Sequence, residues 1–248
     1  MTEAEWLECE DVRELLDYLV GRASSRKFRL FGTACCRRIW PLLVDERSRN
    51  AVSVAERYAD GLAAKEEFDA ARTQMAACRD EAALHPGSPA ADGWALAAAE
   101  AVLFDAPFWN GGSPIRRGLT AAWTAGWAKA AAVRAADAAL RAAGEGGPEP
   151  AIRGQPPLLR DIFQNPYRPG WVDPPWLLWN SEAVVKMAQA AYEERSLPSG
   201  HLDHARLAIL ADALEDAGCP VKVILDHLRG LDPHVRGCWV VDLLLGKS

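Results

Sequence analysis

Residues 201–246 read HLDHARLAILADALEDAGCPVKVILDHLRGLDPHVRGCWVVDLLLG, and this stretch decides the fold. Its apolar residues recur at the three-and-four spacing of amphipathic helices. The pattern predicts helices over 201–217, 220–229 and 233–245. Asp232-Pro233 supplies a cap residue followed by proline at the first helical position of the last one. Four of the five histidines and two of the six cysteines also fall here. So does Asp242, in the middle of the longest apolar run. A candidate site and a core are written into the same residues.

The same period extends outward. Asp11 caps a short helix with Val12, Leu15, Leu16 and Leu19 on one face. Ser24 or Ser25 caps RKFRLFGTACCRRIW, which Pro41 interrupts. Further helices are predicted over 45–62, 65–84, 90–104 and 119–143, with loops at 85–89 and 106–118. LLRDIF is a short helix. The four prolines of NPYRPGWVDPPWLLWN, residues 165–180, argue against a regular element there. Asn180 or Ser181 then caps a helix to about Glu194. No run of period two is long enough to predict a strand, and no solenoid repeat is present.

The chain has 248 residues, half of them hydrophobic, which suits one large domain or two small ones at roughly 100–200 residues each. A net charge of −6 argues against general nucleic-acid binding and against adhesion to an anionic membrane. The acidic opening MTEAEWLECED is not a signal sequence, and no apolar stretch reaches the ~18–20 residues of a membrane span. The cysteines, Cys9, Cys35, Cys36, Cys78, Cys219 and Cys238, lack framework spacing and read as free thiols of a reducing cytoplasm. Ten tryptophans are the compositional oddity. Core filling between close-packed alanine faces explains them more simply than a stacking surface for bases or sugars.

Four groups of residues carry candidate chemistry. Cys219, His227, His234 and Cys238 form C-x7-H-x6-H-x3-C, a ligand set that zinc accepts with four-coordinate geometry. On the predicted helix, His234 and Cys238 share one face. Asp242 sits in a helix that is apolar on almost every side, so its carboxylate needs a buried partner. Arg37 or Arg38, in the equally apolar ACCRRIW helix, is the expected one, forming a structural ion pair between the two ends of the chain. Arg22, Arg26, Arg29 and Arg37 approximate a basic stripe that would receive a phosphate backbone or an acidic partner. Asp212 and Glu215, with Asp216 beside them, are a carboxylate pair that reads best as salt-bridge surface. Asp203, between His201 and His204, reads as a helix cap. No nucleophile elbow, P-loop or dinucleotide fingerprint occurs, and no catalytic set assembles.

Several segments together resemble a large bacterial family of paralogous helical proteins without an assigned activity. They are MTEAEWLECED, RKFRLFGTACCRRIWPLLVDERSRNAVSVAERYADG, LLRDIFQNPYRP and LAILADALEDAGC…HVRGCWVVDLLLGK. The resemblance covers both ends, and the Ala/Trp-rich middle looks like a variable insert. RLAILADALEDAG also resembles, over a short span, small bacterial repeat-companion domains.

The expectation is an all-α multi-helix bundle. Its core is formed by residues 1–62 and 158–248, with an Ala/Trp-rich helical insert over 63–143 and a linker over 144–157. The leading functional reading is a cytoplasmic, non-enzymatic module that binds another protein. The first alternative is a metal- or cofactor-binding protein, an enzyme among the options, centred on the C-terminal cysteines and histidines with zinc as the metal. The second is nucleic-acid binding through the basic N-terminal helix.

Overall fold

The computed structural model describes residues 1–84, 93–103, 129–139, 141 and 155–247. The expected loops at 85–89 and 106–118, the start of the 119–143 helix and most of the 144–157 linker lie outside these residues. So do Trp109, Trp123 and Trp127.

Every regular element among the described residues is a helix, as the periodicity requires. They are α1 (Glu3–Glu8), α2 (Val12–Leu19), α3 (Ser25–Arg38), α4 (Glu46–Ala59), α5 (Lys65–Leu84), α6 (Gly93–Ala101) and α7 (129–139). After the undescribed stretch come α8 (Gln155–Ile162), α9 (Pro174–Glu193), α10 (His204–Asp216), α11 (Lys222–Arg229) and α12 (Trp239–Leu244). A 3-10 turn, Trp40–Leu42, follows α3 where Pro41 ends it. Among the described residues, extended pairing is limited to isolated bridges that join Ser196 to His201 and His201 to Val235. No described helix is long and apolar enough to cross a membrane.

Side-chain caps set several starts. Asp11 accepts from the backbone N–H groups of Arg13 and Glu14. Ser24 accepts from Lys27, Asp45 from Arg47, and Asp203 from Arg206. Each satisfies first-turn donors that have no partner within the helix.

Three local expectations are corrected. Helix α8 begins at Gln155, inside the expected linker. Residues 174–178 are helical although proline-rich, because Pro174 and Pro175 occupy the first turn, where a missing N–H costs nothing. Within α9 the backbone breaks at Trp179, and Asn180, Ser181 and Glu182 all have positive φ, which separates two helical pieces. The final helix starts at Trp239, so residues 233–238 form a loop. There Gly237, at φ +99°, takes a conformation that side-chain-bearing residues avoid.

The chain divides into two compact units. One comprises Met1–Glu8 with Pro157–Ser248, and the other Cys9–Pro156. In the Cys9–Pro156 unit, α3 buries Phe28, Phe31, Cys35, Cys36 and Arg37. Arg37 grips Glu56 of α4 with two parallel bonds, Nε to Oε1 at 3.0 Å and Nη2 to Oε2 at 2.8 Å. Both side chains are about 5% exposed. In the other unit, Trp176, Val184, Tyr192, Leu207, Leu210, Leu214, Ile224, Leu228, Val240 and Val241 belong to one apolar cluster. Helix α1 docks there: Arg160 donates twice to the Trp6 carbonyl, and Asn165 donates to Glu3. Trp6, Trp176 and Trp239 are buried, as expected of core fillers, whereas Trp171 is about half exposed.

The ion pair expected to join the chain ends is therefore corrected. The buried carboxylate facing Arg37 is Glu56. Asp242 accepts a 2.7 Å hydrogen bond from the Tyr192 hydroxyl. Arg38, beside Arg37 at the end of α3, is only partly buried. An apolar environment demands polar partners for a carboxylate, and the Tyr192 hydroxyl is one of them for Asp242.

Candidate metal centre

Helix α8 turns an apolar face inward, with Leu158, Leu159, Ile162 and Phe163 all buried. Asp161 lies among them, 2% exposed. Such a carboxylate needs several partners. Val235 donates its backbone N–H to Oδ2 over 2.9 Å. Around Oδ1 gather His234 Nδ1 at 2.7 Å and His227 Nε2 at 3.2 Å. The thiol of Cys238 completes the group, 3.3 Å from His227 Nε2 and 3.9 Å from His234 Nδ1. One ligand atom from each of Asp161, His227, His234 and Cys238 lies within 4.8 Å of the other three.

Three segments place these atoms. Asp161 comes from α8. His227 sits in the last turn of α11, whose Ile224, Leu225 and Leu228 are anchored in the core. His234 is carried by the 233–238 loop, which is fixed where the Leu202 N–H donates to the His234 carbonyl. Cys238, fully buried, is the residue before α12. Trp239 lies against the His227 ring, with centroids 5.1 Å apart. A Cβ at Gly170 would fall 2.6 Å from the Trp239 ring, so only glycine lets the 163–173 segment pass this close.

The electrostatics follow from burial and proximity. Burial alone pushes the Asp161 carboxyl up, but hydrogen bonds from His227 and His234, and their charge, hold it well below the usual range. Burial pulls the His234 imidazole down, and the Asp161 carboxylate more than offsets that, so its pKa is raised. Burial, and then the Asp161 charge, push the Cys238 thiol well above its ordinary value.

A cysteine, two histidines and an aspartate also suggest a nucleophilic triad, and the geometry argues against it. In a triad the acid and the nucleophile bond opposite nitrogens of the histidine. Here Asp161 Oδ1 and Cys238 Sγ approach the same nitrogen of His227, and again the same nitrogen of His234. The four atoms surround a point instead of forming a chain. The thiol is also inaccessible and disfavoured as thiolate, the reverse of an activated cysteine. The spacings suit a small tetrahedral ion. Zinc distances of about 2.0–2.1 Å to nitrogen or oxygen and about 2.3 Å to sulfur give N···O edges near ~3.3 Å and N···S edges near ~3.6 Å. The observed N···O separations of 2.7 and 3.2 Å and N···S separations of 3.3 and 3.9 Å lie around those values.

Three of the four expected ligands thus converge, and the fourth is corrected. Cys219 is buried beyond the end of α10, where its N–H donates to the Leu214 carbonyl, and it is not one of the four clustered residues. Asp161 stands in its place. His234 and Cys238 meet through the loop, not along a helical face as expected.

The other candidate groups are dispersed. Of the basic stripe, Arg37 is buried on Glu56, Arg26 pairs with Asp60, Arg29 lies over the rings of Tyr58 and Phe68, and Arg22 folds back over Tyr18. Such engaged guanidinium groups do not present a stripe for phosphates. Asp212 and Glu215 share Arg229, as a salt-bridge surface does.

Compared with family models, with curated proteins and with solved structures, the chain has no significant match.

Proposed function

We propose that the unit formed by Met1–Glu8 and Pro157–Ser248 is a zinc-binding module, with Asp161, His227, His234 and Cys238 as ligands. The carrying observation is the convergence of four ligand atoms within 4.8 Å in a buried setting. The donor set of two imidazoles, one thiolate and one carboxylate favours zinc over calcium or magnesium, which want oxygen, and over cluster iron, which wants thiolates. All four positions are protein side chains, which is the pattern of a structural site, not of a catalytic one that keeps a position open.

The metal would fasten α8, α11, the 233–238 loop and the start of α12, four segments that otherwise meet through apolar contacts and a few hydrogen bonds. Binding displaces the Cys238 thiol proton to solvent and leaves a zinc–thiolate bond. Segments with the bacterial-family resemblance carry three of the ligands: Asp161 in LLRDIF, and His234 and Cys238 in HVRGCWVVDLLLG. On this reading the protein is a metal-stabilised interaction module of the cytoplasm with another protein as partner. All six cysteines are free thiols, which suits that compartment.

Elemental analysis of protein purified without an affinity tag tests the proposal. About one equivalent of zinc per chain is expected. Less than about a tenth of an equivalent, with no uptake from added zinc, would overturn it.

A further inference from the structure

Asp242 is, with Asp161, a buried carboxylate of this unit, and its surroundings give it a task. The Tyr192 hydroxyl donates to Asp242 Oδ1 at 2.7 Å and accepts the Gly237 N–H at 3.1 Å. Tyr192 and Asp242 are 2% and 1% exposed. Gly237 lies between the two proposed ligands of the loop, His234 and Cys238, and takes a positive φ of +99° that glycine adopts without strain. Asp242 in turn donates its backbone N–H to the Cys238 carbonyl at 2.9 Å. The hydroxyl therefore stands between the loop that carries two ligands and the helix that follows it.

We infer that Tyr192 and Asp242 are positioning residues of the zinc centre: the hydroxyl, oriented by the carboxylate, fixes the Gly237 peptide and so the spacing of His234 and Cys238. A hydroxyl has one proton. The Asp242 carboxylate at 2.7 Å and the Cys238 carbonyl at 3.3 Å both face that proton; the nearer, charged acceptor is the stronger claim on it, and the oxygen lone pairs are left to the Gly237 N–H. Such support is what holds a ligand loop ready for its metal before the metal arrives. The opposite side of the loop is held by Asp161 Oδ2 at the Val235 N–H. The two anchors bracket the turn between the ligands.

This inference rests on the zinc reading, and the experiment separates them. Zinc affinity is measured by competition with a chromophoric chelator for the wild type, Tyr192→Phe, Asp242→Asn and Val184→Ala. Val184→Ala removes apolar volume from the core of the same unit and no hydrogen-bonding group. Tyr192→Phe keeps the ring and removes the hydroxyl; a loss of about 10–100-fold in affinity is expected. Asp242→Asn keeps an acceptor and removes the charge, and a loss of at least about threefold is expected. Val184→Ala should stay within about twofold of the wild type. Cobalt substituted for zinc should show altered ligand-field bands in the two loop variants and unaltered ones in Val184→Ala. Unchanged affinity in Tyr192→Phe, or an equal loss in Val184→Ala, would overturn the inference and leave the zinc site standing. Should Tyr192→Phe fail to fold, Asp242→Asn decides by the same measure. A wild type that takes up no zinc would remove both readings.

Discussion

Val235 donates its backbone N–H to Oδ2 of Asp161 across 74 residues of chain, and this single bond divides the carboxylate. One oxygen is committed to the loop, so the other, Oδ1, faces the histidines alone. In the proposed zinc site the aspartate would thereby be a one-oxygen ligand. A one-oxygen carboxylate suits a four-coordinate ion better than a large cation that takes both oxygens.

Asp161 should accordingly be the most sensitive position of its unit. Asp161→Ala strands the Val235 N–H and removes the charge that faces two histidines. Zinc uptake should be lost, and denaturant unfolding should show destabilisation of about 3–5 kcal/mol without metal. Asp161→Asn retains an acceptor for Val235 and should lose less stability while still losing most zinc affinity.

The two C-terminal cysteines should behave oppositely. Cys238→Ser should weaken zinc binding by at least about a hundredfold, since a hydroxyl is a poor substitute for thiolate in such a site. Cys219→Ser should bind zinc as the wild type does. Chelator competition reads both, and zinc loss in the Cys219 variant would show that the wrong cysteine had been assigned.

Zinc binding should release protons. Burial first, and the Asp161 charge second, hold the Cys238 thiol well above its ordinary value, so it is protonated at neutral pH and must give up its proton to bind. Zinc added to weakly buffered protein near pH 7.5 should release about one proton per ion bound. Affinity should fall as pH falls. The fall should already have steepened by about pH 6.5, because His234, whose pKa the neighbouring carboxylate raises above its ordinary value, holds a second proton there.

Arg37 and Glu56 make a test free of the metal. Removing one partner of a buried pair leaves the other charge stranded, so Arg37→Ala should cost about 3–5 kcal/mol. Replacing both with apolar residues of similar volume should recover most of that. Zinc affinity should not change in either variant, because the pair belongs to the Cys9–Pro156 unit.

Asp45 supplies a pH-dependent increment. Its pKa is lowered to about 2, chiefly by the Arg47 side chain, with burial opposing and the Arg47 backbone N–H assisting. A carboxyl depressed in the folded state stabilises above its unfolded value, and that contribution is lost as pH falls through the folded one. Asp45→Asn keeps a good helix cap and removes the charge. The stability gap between wild type and variant should be full above about pH 4 and close towards pH 2.

The helices were readable because their signals are local. Asp11, Ser24, Asp45 and Asp203 are caps whose targets lie two or three residues on, and the apolar period does the rest. Three members of the cluster are legible for the same reason: His227, His234 and Cys238 fall within a dozen residues. Asp161 was not, because its partners are 66 and 73 residues distant and nothing in LLRDIF announces them. One signal was present: an acid flanked by Leu158, Leu159, Ile162 and Phe163, the same apolar setting that drew attention to Asp242. That setting marks a buried carboxylate without naming its partner, which is why Asp242 was matched with arginines and found a tyrosine. The 233–238 loop escaped because Asp232-Pro233 is a sound helix start, and only contacts with Asp161, Tyr192 and Leu202 draw its peptide groups elsewhere.

Helix α1 opens the chain, yet its hydrogen-bonding partners Arg160 and Asn165 lie beyond the whole Cys9–Pro156 unit. On the ribosome this order has a consequence. The intervening unit is delivered complete while Met1–Glu8 still waits for the residues it will join, and Cys238 emerges later still. Closing the proposed zinc centre therefore cannot precede delivery of the whole Cys9–Pro156 unit, an ordering written into its connectivity.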